Sequence, residues 1–567
     1  MMPFDAIRFS LLAFFVLFAL GIFAPTCPAN AQSPHAKRGL DFSVGPRGLD
    51  SLSYNGQSLL RSAQNGEFQP RKSVFRAALD ALLSRSQSPL ATPNKQADTI
   101  DLNYPWGRIS CAYGKQGDKL TMRIEVSNTS SEPLNEFSVR LMELNFPRVP
   151  AGGTLEAGMF DFGFKGPEWP LHSYPPSIPS VADPRSVVPI VRVDYGTGAL
   201  NFCSDDLECS VGVQYSTNSP ARTSYPFMIT CRDIKPGVSK AFDISLRFGP
   251  AGARVQDLSG DVLERYAKKY PFYVNWNDRR PIGAIFLASS GINVATNPRR
   301  WILNEGKIDI TTSQGKAAFR EALLKLADNS IKVLKGANAQ GMITWDPEGQ
   351  EFLRSCYYGD PRLTPVLAPE TEVKDDRGMA AIDEYFDKFC RAGLKVGVCL
   401  RPQQITMVDG KPVQGVADDQ HAAEVLKDKL AYAKKRWGCT LFYIDSTVEV
   451  TANALDPDVF KTVAYAYPDV LLIPENESMR YFAYSAPLNS YVHHKVTSTP
   501  AGARMVYSNA FSVLMAPDGD RPEDHDALVT AVRHGDILLF NGWYNSDGLT
   551  KIKKLYEEAT RGASTRP

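Results

Sequence analysis

The sequence predicts two folded parts in tandem, an N-terminal antiparallel β-sandwich and a C-terminal (β/α)8 barrel of the TIM type. Three observations predict this. Apolar and polar residues alternate with period two through much of the chain up to Pro250, as half-buried strands require. Beyond residue 280, helical stretches stop at glycine and short, wholly apolar runs follow at once, which is the grammar of parallel strands covered on both faces. Eight apolar runs then fit into about 280 residues, the size of one closed barrel.

The elements follow in chain order. Arg8 precedes an apolar run from Leu11 to Ala24, and Ala29-Asn30-Ala31 supplies small residues at the positions that signal peptidase reads. Residues 1–31 are therefore expected to be a signal peptide, with the mature chain starting at Gln32 and exported to the periplasm or the medium. The rival reading, a membrane anchor, needs a longer run than this one. Thr26 before Cys27 is a poor lipidation signal. Lysine plus arginine (63) nearly equals aspartate plus glutamate (62). No net positive field exists to hold nucleic acid or an anionic membrane, so a neutral partner is expected.

Residues 35–250 form the expected sandwich. Lys119 to Thr129 alternates cleanly, similar runs cover Phe137 to Leu144, Val191 to Tyr195 and Ala241 to Phe248, and Asn55-Gly56 reads as a tight turn. Val74 to Leu83 has helical periodicity. Of the eight cysteines beyond residue 31, Cys203 and Cys209 flank the polar SDDLE loop and are candidates to pair. The chain has no CxxC or HExxH, so structural zinc is not expected, and the chemistry expected below needs no metal or organic cofactor.

A connector, 251–278, carries a helix from Val255 to Lys269. The barrel spans 279–562. Its expected strands are Ile282 to Ala288, MITWD after Gly341, LKVGVCLR after Gly393, CTLFYID after Gly438, Val470 to Glu475, Tyr491 to Val496, Met505 to Leu514, and DILLF after Gly535. A doubly wound sheet is the alternative, but no glycine-rich phosphate loop follows any strand.

Barrel chemistry sits at the C-terminal ends of the strands, and those ends are polar here. Strand two ends in Trp345-Asp346, strand three in Arg401, strand four in Asp445, strand five in Glu475 with Glu477 behind it, and strand eight runs into Asn541-Gly542-Trp543-Tyr544. Asp445 is in line with Leu441 and Tyr443, and Glu475 with Leu471 and Ile473, so alternation places each carboxyl on the face of those residues. Two carboxyls sharing a cavity divide labour, one attacking an anomeric carbon and the other protonating the departing oxygen. Structural alternatives are an N-cap cluster at Asp445-Ser446-Thr447 and a surface ion pair of Glu475 with Arg480. Glu477 is the rival for the acid role.

An N-terminal sandwich, a barrel, an aspartate in FYID closing strand four and a glutamate in IPENE closing strand five together resemble the retaining glycoside hydrolases, most closely the endo-α-N-acetylgalactosaminidase group. That resemblance implies Asp445 as nucleophile and Glu475 as acid/base. The α-amylase group uses the same two strands, but its arginine two residues before the nucleophile is replaced here by Tyr443. The expectation is an exported glycosidase acting on an α-linked glycan, with Asp346, Trp345, Arg401, Tyr443, Glu477, His493 and Trp543 as candidate substrate-binding residues. Asp346 is expected to accept hydrogen bonds from sugar hydroxyls, Arg401 to hold a carboxylate ionised, and Trp345 and Trp543 to stack on a pyranose face. The alternative function is a carbohydrate-binding protein that keeps the barrel without hydrolysis.

Overall fold

The computed structural model describes residues 39–46, 48–60, 69–71, 94–96, 98–146, 154–157, 160–163, 187–213, 224–289, 291–292, 295–303, 307–350, 357–415, 421–447, 455–489, 498–516, 524–540 and 546–561. The N-terminal part is antiparallel throughout. A nine-stranded sheet contains the long strands Gly107–Gln116, Lys119–Asn128, Ala199–Ser204 and Ser239–Gly249, and a four-stranded sheet contains Leu134–Asn145, Ser210–Val213 and Ser224–Ile234. Lys119–Asn128 alternates buried and partly exposed residues along its length. Phe202 of one sheet meets Phe227 of the other edge to face, ring centroids 5.3 Å apart, so the inner faces share one core. Asn55 and Gly56 both take positive φ and turn the chain between two strands. The expected helix at Val74 to Leu83 lies outside the described residues.

The helix Val255–Lys269 joins the two parts. Asn201 Nδ2 donates to Ser259 Oγ (2.8 Å) and Val255 O (3.1 Å) on its sandwich side. At its other end Arg480 of the barrel stacks on Tyr270 at 4.1 Å, and Tyr507 Oη donates to Tyr270 O at 2.9 Å.

The barrel strands are β1 (Ile282–Phe286), β2 (Gly341–Trp345), β3 (Lys395–Leu400), β4 (Leu441–Ile444), β5 (Leu471–Pro474), β6 (Leu488–Asn489), β7 (Val513–Ala516) and β8 (Ile537–Phe540). Every pair is parallel, in the order β5-β4-β3-β2-β1-β8-β7-β6. The Ala486 N–H donates to Leu472 O at 2.9 Å and joins the two ends of that order, closing the cylinder. Ile282, Ala284, Ile343, Trp345, Cys399, Leu441, Tyr443, Leu471, Ile473, Leu488, Val513, Ile537 and Leu539 form one cluster. These are alternate residues of successive strands, the layered filling of a packed barrel.

Leu488–Asn489 takes the sixth place, and the expected strand Tyr491 to Val496 lies outside the described residues. Two expectations need correction. The seventh strand begins at Val513, because Met505 and Val506 belong to a short helix, Ala501–Val506, entered through Pro500. Gly341 is not a helix stop. Asn338 takes the left-handed turn (φ 53°), and Gly341 opens β2, where a Cβ would lie 2.2 Å from Lys395 O. At Gly438 the reading holds, with the helix Ala422–Trp437 ending in left-handed geometry (φ 72°).

Candidate active site

Alternation along β4 and β5 carries through the strand ends. Asp445 N–H donates to Leu400 O and Glu475 N–H to Ile444 O, each at 2.9 Å, so the ladder continues one residue past the regular strands and fixes both carboxyl-bearing backbones. Leu441 and Tyr443, then Leu471 and Ile473, point into the barrel. Asp445 and Glu475 are the next residues in those two series.

The two carboxyls lie side by side at the ends of adjacent strands in register. The N–H of Ser446, next to Asp445, donates to Glu475 Oε2 at 2.7 Å. Burial, then the negative charge of Asp445, push the Glu475 carboxyl up to about 7, against the opposing pull of the Ser446 amide and the Arg401 guanidinium. Arg401, one residue past β3, donates from Nε to Asp445 Oδ2 at 2.7 Å and from Nη2 to the same oxygen. These are charge-assisted bonds in a largely water-excluded place, with side-chain exposures of 14% and 16%.

Asp346, one residue past β2, has φ 55°, a left-handed conformation rare outside glycine, asparagine and aspartate. Its side chain therefore does not follow the strand's alternation. β2 pairs with β3 in register, so Asp346 lies at the same rim as Arg401, and the charges of Arg401 and Asp445 both act on it. Burial raises its carboxyl to about 8, with Gln350 and Arg401 opposing and Asp445 adding to the rise. Gln350 Nε2 donates to Oδ2 at 2.6 Å, while the buried Oδ1 has no partner among the described residues. Near neutral pH this acid keeps its proton and has a hydrogen bond to give as well as to receive.

Trp345 and Tyr443 form the top apolar layer under the carboxyls. The Trp345 ring packs against Phe286 at 4.9 Å and against Tyr443 at 5.0 Å, and both Trp345 and Tyr443 are buried. Glu477 is raised to about 7 by burial alone, and its Oε2 has no partner among the described residues. His493 and Trp543 lie outside the described residues. The suggested Glu475–Arg480 ion pair does not form. Arg480 instead bonds Asp458 and faces Asp456 at 3.8 Å. Asp445 caps no described helix, since the next one, Pro457–Ala466, is capped by Asp456.

Sequence reasoning missed the residues that hold these groups. Ser446 (φ 57°) turns its amide onto Glu475, and Gln403 Nε2 donates to Ser446 O at 3.2 Å. Lys429, buried in the helix Ala422–Trp437, donates to Arg401 O (3.0 Å) and Gln403 O (2.9 Å). A lysine at the spacing of Leu426, Leu430 and Ala433 was the available signal, because a cation on an apolar helical stripe needs a fixed partner. The left-handed turn at Ser446 has no such signal.

A sandwich followed by a closed barrel is an architecture found in solved glycosidases. An α-N-acetylgalactosaminidase of Bifidobacterium bifidum, solved as a quadruple mutant, superposes with a TM-score of 0.55 at 10% identity, covering 92% of each chain. The same enzyme in complex with N-acetylgalactosamine gives 0.52 at 9% identity over 90% of each chain. An α-galactosidase of Lactobacillus brevis gives 0.40 at 10% identity, over 88% of this chain and 70% of the other. The sequence matches no protein-family profile and no curated protein. At such identity the likeness establishes the fold.

Proposed function

We propose that this protein is an exported, retaining glycoside hydrolase acting on an α-linked glycan, with Asp445 as nucleophile and Glu475 as general acid/base. One observation carries the reading: two carboxyls side by side on adjacent strand ends at the mouth of a barrel, with unlike surroundings. Asp445 lies under the Arg401 guanidinium, and Glu475 is pushed up to about 7 beside it. One group is equipped to stay charged and attack, and the other to keep a proton for the leaving oxygen. The two strands are adjacent and in register, and neighbouring strands lie about 4.8 Å apart, which favours the about 5–5.5 Å separation of a retaining pair over the about 6.5–9.5 Å of an inverting one. Asp346 then offers its acid proton and free oxygen to a sugar hydroxyl, and Trp345 and Tyr443 supply the apolar floor.

The substrate class draws on the architecture shared with the Bifidobacterium bifidum α-N-acetylgalactosaminidase, and export rests on the apolar run and cleavage signal of residues 1–31. The test is turnover of a panel of aryl α-glycosides, including the N-acetylgalactosaminide and the galactoside, by the wild type and Asp445→Asn. Proton NMR of the first-formed sugar reads the stereochemistry. Release of the α-anomer, with turnover lost in the variant, is expected. A first-formed β-anomer, undiminished turnover in the variant, or no turnover of any member overturns the reading.

A further inference from the structure

Four thiols lie in the sandwich among the described residues, Cys111, Cys203, Cys209 and Cys231, all of them buried. We propose that Cys209 and Cys231 are joined by a cross-strand disulfide when the protein folds in an oxidising environment. The edge strand Ser210–Val213 pairs antiparallel with Ser224–Ile234, with Ser210 opposite Thr230 and Val211 opposite Ile229. One step outward in that register sets Cys209 opposite Cys231. The two segments stay together past Thr230, because Arg232 Nη1 reaches across to Ser210 Oγ at 2.6 Å. Ser210, Thr230 and Arg232 share one face of the pair, so alternation sends both cysteines to the other face, where they are 1% and 0% exposed within the core.

Directly opposed residues of an antiparallel pair have Cα atoms about 4.5–5.5 Å apart, inside the roughly 4.4–6.8 Å that a disulfide spans. After burial, the largest influence holding the Cys209 thiol up is Cys231. Proximity in sequence points to a different partner, and the structure corrects it. Cys203 sits in the nine-stranded sheet opposite Ser245, with its Sγ 3.2 Å from Ser259 Oγ, while Cys209 precedes a strand of the four-stranded sheet.

The chemistry is oxidation of two thiols by an exogenous disulfide. An S–S bond forms between Cys209 and Cys231, and the two protons and two electrons reduce the oxidant to two thiols. Burial holds both thiols protonated in the folded chain, and the attacking species is the thiolate. Exchange therefore takes place before the edge strand docks, and the folded, reduced protein is slow to oxidise. Once formed, the bond ties the edge strand to its neighbour across residues 214–223.

The test is refolding of the denatured, reduced full chain in a mixture of reduced and oxidised glutathione, then alkylation under denaturing conditions and peptide mapping without reduction. The expected product is a peptide pair linking Cys209 to Cys231, lighter by two hydrogens, with the exposed Cys390 alkylated as the internal control. The oxidised protein is expected to melt several degrees above the reduced one, a difference that vanishes in Cys209→Ala/Cys231→Ala. A Cys203–Cys209 link, or both Cys209 and Cys231 recovered alkylated, overturns the proposal. The wild-type map decides the question even where the double variant fails to fold.

Discussion

Replacing Glu475 with glutamine separates proton donation from everything else this side chain does. The amide keeps an acceptor for the Ser446 N–H (2.7 Å) and gains a donor toward Asp445, so the geometry of the pair survives. Only the transferable proton is lost. With the carboxyl at about 7, its protonated fraction falls from roughly 90% at pH 6 to roughly 10% at pH 8, so wild-type kcat/KM declines about tenfold per unit above that range. General acid catalysis contributes about 10²–10⁴-fold, or roughly 3–5 kcal/mol of barrier. The assay compares two α-glycosides of one sugar, with a methyl and a dinitrophenyl leaving group. Glu475→Gln is expected to lose the full factor on the methyl glycoside and to keep the first step on the dinitrophenyl glycoside, which departs without a proton. The basic limb disappears. Equal losses on both substrates, or a wild-type profile flat from pH 6 to 8, refute the assignment.

Three further outcomes are expected. Arg401→Met leaves the carboxylate of a largely buried pair without its cation, which costs about 3–5 kcal/mol at most; activity falls, thermal melting drops, and the basic limb moves to higher pH because a charge that lowers Glu475 is gone. Lys429→Met frees the carbonyls of Arg401 and Gln403 and loosens the segment that aims the guanidinium; kcat is expected to fall more than KM rises, with the pH profile displaced, whereas a purely structural role changes melting alone. Glu477 is raised from 4.5 to about 7 by burial. The unfolded chain releases this proton first, so the contribution to stability is full below about pH 4.5 and declines as pH rises toward 7. Glu477→Gln is therefore expected to melt higher than wild type at pH 8, by an amount on the order of 3 kcal/mol at most, with the advantage shrinking toward pH 5; denaturant melts at the two pH values check it.

Much of the architecture was legible because it follows from local rules. A helix stopped at Gly438 and the run LFYI named β4 without tertiary information, and period two then carried the inward face from Leu441 through Tyr443 to Asp445. The same arithmetic placed Glu475, and neighbouring strands in register brought the two together. What was not legible depends on contacts between distant segments. The left-handed turn at Asp346 re-aims a side chain against the strand's parity, and no neighbouring residue type announces it. Apolarity alone extended the seventh strand across Met505 and Val506, where a turn after Pro500 makes helix instead. The partner of Cys209 is set by strand register, which a short loop in the sequence conceals.

The most direct test of the central claim, that Asp445 and Glu475 work as nucleophile and acid on one sugar, is covalent trapping. The protein is incubated with an activated fluorinated α-glycosyl fluoride of the best sugar from the panel, digested, and mapped by mass spectrometry. The account predicts one glycosyl unit on the peptide containing Asp445, accumulating in the wild type and absent from Asp445→Asn. A glycosyl unit on any other carboxyl, or turnover of the reagent with no adduct at any stage, contradicts it.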